Sequence, residues 1–277
     1  MRQYGTYPIF INAPPESLRT NREKQIADHA AKQNFRETAR LRNVQKHLDD
    51  IVIDPSPNAI AVAFENEVVK HLDLIGSSPI GRVTLDSLNP NEKVWIIPLS
   101  DEERKTDCNN CSAYVFPAKP ASGGGIRLYY SPGETLRANK WVISTDDTFY
   151  HEIVHALRFG WSGSWEKTEW IDDYENQEEF IATIMENLYI SSRGRTQFYS
   201  RYIQPSSLMS KQNLYDHYAK SDRLITWFKR CTFGDAFIWA MARRTDPPFN
   251  PWRDRVDIEN KWLKANRKRG FTKFPGS

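Results

Sequence analysis

Residues 144–160 have the sequence STDDTFYHEIVHALRFG. A Ser followed three residues later by Asp is a capping-box start, paired acidic residues suit the positive end of a helix, and a closing Gly is typical of a helix exit. The stretch therefore predicts one helix over residues 145–159, ending at Gly160. On that helix His151 and His155 stand four residues apart, so their side chains lie on one face, one turn above the other.

Two imidazoles at this separation can bind the same Zn²⁺, each at about 2.0–2.1 Å. Glu152 follows His151 directly and is rotated away from the metal, so it is poorly placed as a ligand but can reach a water on the metal. This is the HExxH arrangement, in which the Glu is the general base of zinc-assisted hydrolysis. The competing interpretation is a helix with two structural histidines. We expect His151 and His155 to be zinc ligands and Glu152 to be catalytic.

A catalytic zinc needs a third protein ligand, and no His follows at the spacing used when that ligand is a histidine. A second predicted helix, YENQEEFIATIMENLY over residues 174–189, offers carboxylates instead. One of them, Glu179, is favoured because the small Ala182 one turn later lets two helices approach closely. The spacing from Asn176 to Glu179 also fits a helix cap, which is the structural alternative. The candidate ligands are Glu175, Glu178 and Glu179, of which Glu178 stays the main alternative to Glu179.

The pair HEIVH and Glu179-Phe-Ile-Ala182 resembles zincin metallopeptidases whose third ligand begins an E-F-x-A segment. Such enzymes include the catalytic domain of anthrax lethal factor and zinc endopeptidases that bacteria deliver as effectors or toxins. The resemblance is strongest over residues 144–190 and weaker over about 70–143. It implies that Glu179 is the third ligand and that the chain hydrolyses peptide bonds. The expected fold is α+β and zincin-like, with a small twisted sheet packed on the two ligand helices and flanking helices at both ends.

The same resemblance implies two further features of the site. In zincins an edge strand above the metal pairs with the substrate backbone. The strand within residues 123–130 is the candidate for that role, with an ordinary core strand as the alternative. A donor to the developing oxyanion would complete the site. Tyr174 and His217 are candidates, with a structural role as the commoner alternative for each.

Turn and helix signals organise the rest of the chain. Ser56 and Pro57 begin a predicted helix that stops at Gly76. Residues 82–85 and 93–97 are predicted as two strands joined by an Asn-Pro turn, and residues 126–130 as a third strand. Beyond residue 135 the chain is predicted to be mainly helical through about residue 243.

Charge and composition suggest three segments. Residues 1–54 form a charged, helix-prone N-terminal arm, and residues 55–243 form the zincin-like metallopeptidase domain. The segment 244–277 is a basic C-terminal tail, expected to be solvated. From Arg243 onward there are ten Lys and Arg against four Asp and Glu, whereas the whole chain of 277 residues has a net charge of only +3. The protein as a whole is therefore not an electrostatic nucleic-acid binder.

Composition also excludes several classes of protein. With 39% hydrophobic and 13% aromatic residues, general disorder is excluded. No apolar run approaches the 18 or so residues of a membrane helix, and the N-terminus lacks a signal-peptide core. We therefore expect synthesis in the cytoplasm, with a dedicated secretion system as the route if the protein is exported. Cys108 and Cys111 form one CxxC, interpreted as a small-loop disulfide or two free thiols.

The function favoured by the sequence is a zinc-dependent endopeptidase acting on a protein or peptide substrate. One alternative is a zincin-fold binding module that uses its basic tail on nucleic acid, or that binds a protein partner. Another is a zincin domain that acts only with one dedicated partner, such as an immunity or regulatory protein. Glu152 favours the enzyme, because a pure binder does not need a general base.

Overall fold

The computed structural model combines helices with a small mixed sheet, in agreement with the α+β prediction. The residues that it describes are 2–11, 57–99, 113–117, 125–132, 145–162, 174, 176–200, 208–221, 224 and 235–269.

The main sheet has five strands in the order β1-β2-β3-β5-β4. Its inner strands β2, β3 and β5 are parallel, and the outermost strands β1 and β4 are antiparallel to their neighbours. The strands are β1 (Arg2–Gln3), β2 (Ile9–Ile11), β3 (Val94–Pro98), β4 (Ala113–Pro117) and β5 (Ile126–Tyr130).

The helices of the described residues lie between and after these strands. A separate two-stranded sheet, β6 (Phe198–Tyr199) with β7 (Leu208–Met209), follows the fourth helix. The helices are α1 (Pro57–Ser77), α2 (Pro79–Asp86), α3 (Thr145–Ser162), α4 (Gln177–Ser192), α5 (Lys211–Lys220), α6 (Asp235–Ala242) and α7 (Arg255–Asn266), the last followed by a 3₁₀ turn at Arg267–Arg269.

The helix that carries the HExxH motif is α3, and its predicted existence is confirmed. Its predicted end was wrong, because the helix passes through Gly160 and continues to Ser162. Gly160 is an interior helix position rather than a helix exit, and a Cβ there would make ordinary contacts, 3.4 Å from the Ile126 side chain and 3.5 Å from that of Asn89. In addition, the Asn89 side chain donates a hydrogen bond to the Gly160 carbonyl at 2.7 Å.

The region around residues 82–85 is helical, so the strand predicted there was wrong. These residues belong to α2, which begins with Pro79 in its first turn. The hydroxyl of Ser78 caps this helix by accepting a hydrogen bond from the Gly81 N–H at 2.8 Å. A Ser-Pro start is a strong helix signal, and it outweighs the strand preference of the Val and Thr that follow.

The junction between α1 and α2 depends on Gly81. A Cβ at this position would lie 2.1 Å from the Ile75 carbonyl oxygen, a backbone atom that cannot move aside cheaply. We expect Gly81→Ala to lower the free energy of unfolding by about 1–3 kcal/mol, as overpacking does elsewhere. Urea denaturation measures the change. Gly76→Ala is the matched control, because its Cβ would meet its nearest neighbour at an ordinary 3.6 Å. Equal losses in the two variants would contradict the steric explanation.

The strand predicted at residues 126–130 is confirmed as β5, and of its two interpretations, a substrate-pairing edge strand or an ordinary core strand, the structure supports the second. β5 is paired on both sides, with β3 and with β4. The strand at that edge of the sheet is β4, which the sequence analysis did not identify. The strand predicted at 93–97 is confirmed as β3, at Val94–Pro98.

The first and the last described segments both contribute side chains to the core. Residues 2–11 supply β1 and β2, and Ile9 and Ile11 are fully buried. The segment from residue 244 was expected to be a solvated tail, yet Phe249 and Trp262 are also fully buried and α7 packs against α5. Residues 12–54 of the predicted N-terminal arm, together with Cys108 and Cys111, lie outside the described residues.

One hydrophobic core connects these elements, from Ile9 of the sheet to Trp262 of α7. Among the described residues, none of the helices combines the length and the apolar character that crossing a bilayer requires.

Candidate metal centre

Two packed helices, α3 and α4, build the centre. His151 and His155 are both buried on α3, with relative exposures of 4% and 3%. Glu179 lies in the first turn of α4, where the Asn176 side chain caps the helix by accepting the Glu179 N–H at 3.0 Å. The capping alternative and the ligand role are therefore compatible, since the cap uses the backbone of Glu179 and leaves its carboxylate to face α3.

The three side chains converge on one point. The Nε2 atoms of His151 and His155 lie 3.1 Å apart. The Glu179 Oε2 atom lies 3.1 Å from the first and 3.4 Å from the second. Ligands held at about 2.0–2.1 Å around a tetrahedral ion stand roughly 3.3 Å from one another. Buried His151, His155 and Glu179 are thus close enough to bind a metal ion, and their spacing suits one.

Glu178 is engaged elsewhere. Its carboxylate accepts two hydrogen bonds from the Arg158 guanidinium, at 2.5 Å from Nε and 2.6 Å from Nη2. Both partners are buried, and the pair links α3 to α4 about one helical turn beyond His155. Adjacent helix residues point about 100° apart, so only one of Glu178 and Glu179 can face the histidines. The structure brings Glu179 to them; Glu175 lies outside the described residues.

A second carboxylate supports the centre and was missed by the sequence analysis. The Nδ1 atom of His151 lies 3.1 Å from Oε2 of Glu186, which is buried. With Nδ1–H donating to this carboxylate, the Nε2 lone pair is left facing the proposed metal position. Glu186 follows Glu179 by seven residues, or two helical turns, and therefore lies on the same face of α4. That spacing was a signal available in the sequence.

The electrostatics of the centre join these groups into one network. Burial alone would lower the pKa of His151, but hydrogen bonds with Glu179 and Glu186 outweigh it and hold the pKa well above 6.5. Burial alone would raise the pKa of Glu179, but the charge of His155 and the hydrogen bond from His151 hold it well below its usual range. The raised pKa of His151 therefore reflects its position between two carboxylates.

Glu152 is buried beside the histidines, with a relative exposure of 6%. Burial raises the pKa of its carboxyl above 4.5, and the nearby charges of His155 and His151 oppose that shift. A carboxylate whose pKa is raised towards neutrality holds a proton more readily, as a general base must.

The first turn of α3 is tied to the segment that follows α4. Asp146 accepts hydrogen bonds from the Arg193 guanidinium and, at 2.7 Å, from the Tyr189 hydroxyl. Asp147 accepts a hydrogen bond from Arg195 at 2.6 Å. Burial, followed by the charge of Glu186, raises the pKa of Asp147 to about 7. These ion pairs, whose carboxylates are buried, link the start of α3 to the end of α4 and the residues just after it.

The two residues expected to donate to an oxyanion lie together. The rings of Tyr174 and His217 are 6.3 Å apart, and Tyr174 packs edge-on against Phe180 at 4.9 Å. Phe180 follows Glu179 directly on α4, so its ring points about 100° away from the ligand carboxylate. The donor role of either residue stays a prediction.

Comparison with protein-family models, with curated proteins and with solved structures finds no match for this chain. Its function is therefore inferred from the centre itself.

Proposed function

We propose that this protein is a zinc-dependent endopeptidase with His151, His155 and Glu179 as metal ligands and Glu152 as general base. One observation supports this most directly: two imidazole nitrogens and one carboxylate oxygen form a buried triangle with sides of 3.1 to 3.4 Å. Three protein ligands of the His₂Glu type are characteristic of catalytic zinc, which keeps its fourth position open.

A zinc ion bound by these three residues would supply Lewis acidity, lowering the pKa of a water molecule and polarising a peptide carbonyl. Glu152 accepts the proton of the attacking water and later transfers it to the nitrogen of the leaving amine. Glu186 orients the His151 ring through Nδ1, and the ion pairs of Asp146 and Asp147 keep α3 aligned with α4. Burial of all these groups limits competing contact with bulk water.

The zincin-like fold, the peptide substrate and a role as a bacterial effector or toxin are proposed from the resemblance of HEIVH and EFIA to that family. Because β5 lies in the interior of the sheet, the substrate backbone would instead pair with the outer edge of its neighbour β4. The same resemblance supports a protein substrate, delivery by a dedicated secretion system, and control by an immunity or regulatory partner.

The segment that nucleic-acid binding would use as a basic C-terminal tail packs against the rest of the described chain. Within residues 244–269, several cations have partners. Arg253 donates hydrogen bonds to Asp254 and to backbone carbonyls, and Lys261 pairs with Asp216.

The proposal is tested first by metal content. The purified protein is supplied with zinc, freed of excess by dialysis and analysed by mass spectrometry of its elements, and we expect about one zinc per chain. The zinc-loaded protein is then incubated with peptide libraries and unfolded proteins, and cleavage is detected by mass spectrometry. Failure to retain zinc would overturn the site. Retained zinc without cleavage of any peptide bond would overturn the activity.

Glu186 offers a test that does not depend on turnover. We expect Glu186→Gln to raise the zinc dissociation constant by about 10- to 100-fold, because the neutral amide holds the His151 ring less firmly and makes it a weaker ligand. Competition with a coloured chelator measures the affinity. Glu259→Gln removes a carboxylate from an exposed pair with Arg255 and should leave the affinity unchanged. Unchanged affinity in Glu186→Gln would show that this carboxylate only fills space beside His151.

A further inference from the structure

The main sheet has two faces of different character. Alternate residues along each strand point to opposite faces. One set, such as Ile96 and Leu128, is fully buried in the core. The other set is partly exposed, and together with the exposed Lys93 just before β3 it forms what we call the outer sheet face: Phe10, Lys93, Trp95, Ile97, Tyr114, Arg127 and Tyr129.

Strand pairing arranges these side chains in two rows. In the first row Phe10 is paired with Trp95, and Trp95 with Arg127. In the second row Tyr129 is paired with Tyr114. Tyr129 lies two residues beyond Arg127 on β5, so the rows are about 6.6 Å apart, and neighbouring strands are separated by about 4.8 Å. The outer sheet face thus carries two rows of side chains, each with aromatic rings on adjacent strands.

The rings are ordered relative to one another. Tyr114 and Tyr129 are stacked, with centroids 4.8 Å apart and planes inclined by 10°. Phe10 and Trp95 have centroids 5.1 Å apart. Gly125 fixes the position of Trp95, since a Cβ at this glycine, whose φ is +93°, would lie 3.0 Å from the indole Nε1. The close approach keeps the indole in place beside β5.

The charge on this surface is positive. The strands of the sheet contain no Asp or Glu, whereas β5 contributes Arg127 and the exposed Lys93 immediately precedes β3. The Lys93 ammonium lies 5.5 Å from the Phe10 ring centroid and 5.8 Å from that of Trp95. Cations are therefore placed within the aromatic rows.

We propose that the outer sheet face binds single-stranded nucleic acid, with bases stacked on Trp95 and on the Tyr114–Tyr129 pair and with Lys93 and Arg127 contacting phosphates. Aromatic rings on neighbouring strands of an open sheet stack successive unpaired bases, and adjacent cations follow the backbone. A duplex hides its base faces and cannot use such rings. This role is independent of the metal centre, whose ligands belong to α3 and α4.

The test uses the full chain and fluorescently labelled oligonucleotides of about 12 nucleotides, a length within the usual range for such sites. Fluorescence anisotropy is recorded with oligo-dT, with oligo-U and with a duplex of mixed sequence, at salt concentrations from about 50 to 200 mM. We expect binding of one or both single strands, weaker binding of the duplex, and affinity that falls with salt. The DNA and RNA arms identify which sugar the face prefers.

Variants locate the binding. We expect Trp95→Leu and Tyr129→Leu each to weaken it by about tenfold or more, as loss of a stacking ring does. Arg127→Gln should reduce the logarithmic salt dependence by about 0.7, the contribution of one phosphate. Trp239→Leu is the matched control, because Trp239 is 62% exposed and also carries a cation, Arg243, at 4.1 Å from its ring. Thermal melting confirms that each variant is folded.

Three results would overturn the proposal. They are absence of oligonucleotide binding, equal binding of single strands and duplex, and equal affinity in Trp95→Leu, Tyr129→Leu and Trp239→Leu. Sedimentation would then show whether the face is instead a contact between copies of this chain. Glu152→Gln should bind single strands as the unaltered protein does, so loss of peptidase activity and loss of this binding are separable.

Discussion

Glu179→Gln should lose its zinc, while Glu178→Gln should keep it. The two residues are neighbours on α4, and each replacement changes one carboxylate to an amide of the same shape. Glu179 faces the two histidine nitrogens at 3.1 and 3.4 Å, whereas Glu178 pairs with Arg158. We expect the zinc affinity of Glu179→Gln to fall by more than about a hundredfold, beyond what loss of a supporting partner costs. Elemental analysis after dialysis against a weak chelator measures retention.

The same two variants should show the opposite order when the free energy of unfolding is measured, with Glu178→Gln the more destabilised. Glu178→Gln leaves the buried Arg158 guanidinium opposite a neutral amide, which should cost about 2 kcal/mol of the free energy of unfolding. The metal-free form of Glu179→Gln should lose less, because the partners of the Glu179 carboxylate are histidines, which can release a proton when it is replaced. Zinc loss in both variants, or in neither, would contradict the assignment of Glu179 as the third ligand.

Glu152→Gln should retain zinc and lose hydrolysis. Glutamine has the size of glutamate but cannot accept a proton from the attacking water, so we expect turnover to fall by roughly 10²- to 10⁴-fold. The measurement is the initial rate on the best peptide found for the unaltered enzyme, together with zinc content. Glu67→Gln, which changes a half-exposed carboxylate on α1, is the control and should keep full activity. Unchanged turnover in Glu152→Gln would remove this residue from the mechanism.

The parts of the site that lie within one helix could be predicted from the sequence. The spacing of His151 and His155 and the predicted helix around them are local properties, and α3 forms as expected. Which carboxylate of α4 faces these histidines depends on how two helices cross, and the spacing left Glu178 and Glu179 as alternatives. Glu186 required the same information, because its role appears only once α4 lies against Nδ1 of His151.

Elements whose stability comes from distant partners were the hardest to predict. β2 has three residues, and it is a strand because Phe10 pairs with Trp95, far along the chain. No local pattern in so short a segment indicates that partner. The C-terminal region was misjudged for another reason: counting its charges obscured the apolar face that Ile258 and Trp262 form one turn apart on α7.

The core that joins Ile9 to Trp262 has a consequence for synthesis of the protein. During synthesis, the partner strand β3 follows β2 only some 80 residues later, and Trp262 follows later still. Until then, apolar residues of β2 and β3 are exposed, and such surfaces invite aggregation or chaperone binding. The core therefore closes only once α7 has been synthesised, and a ribosome stalled before α7 would present a chain whose metal ligands are all synthesised but whose core is still open.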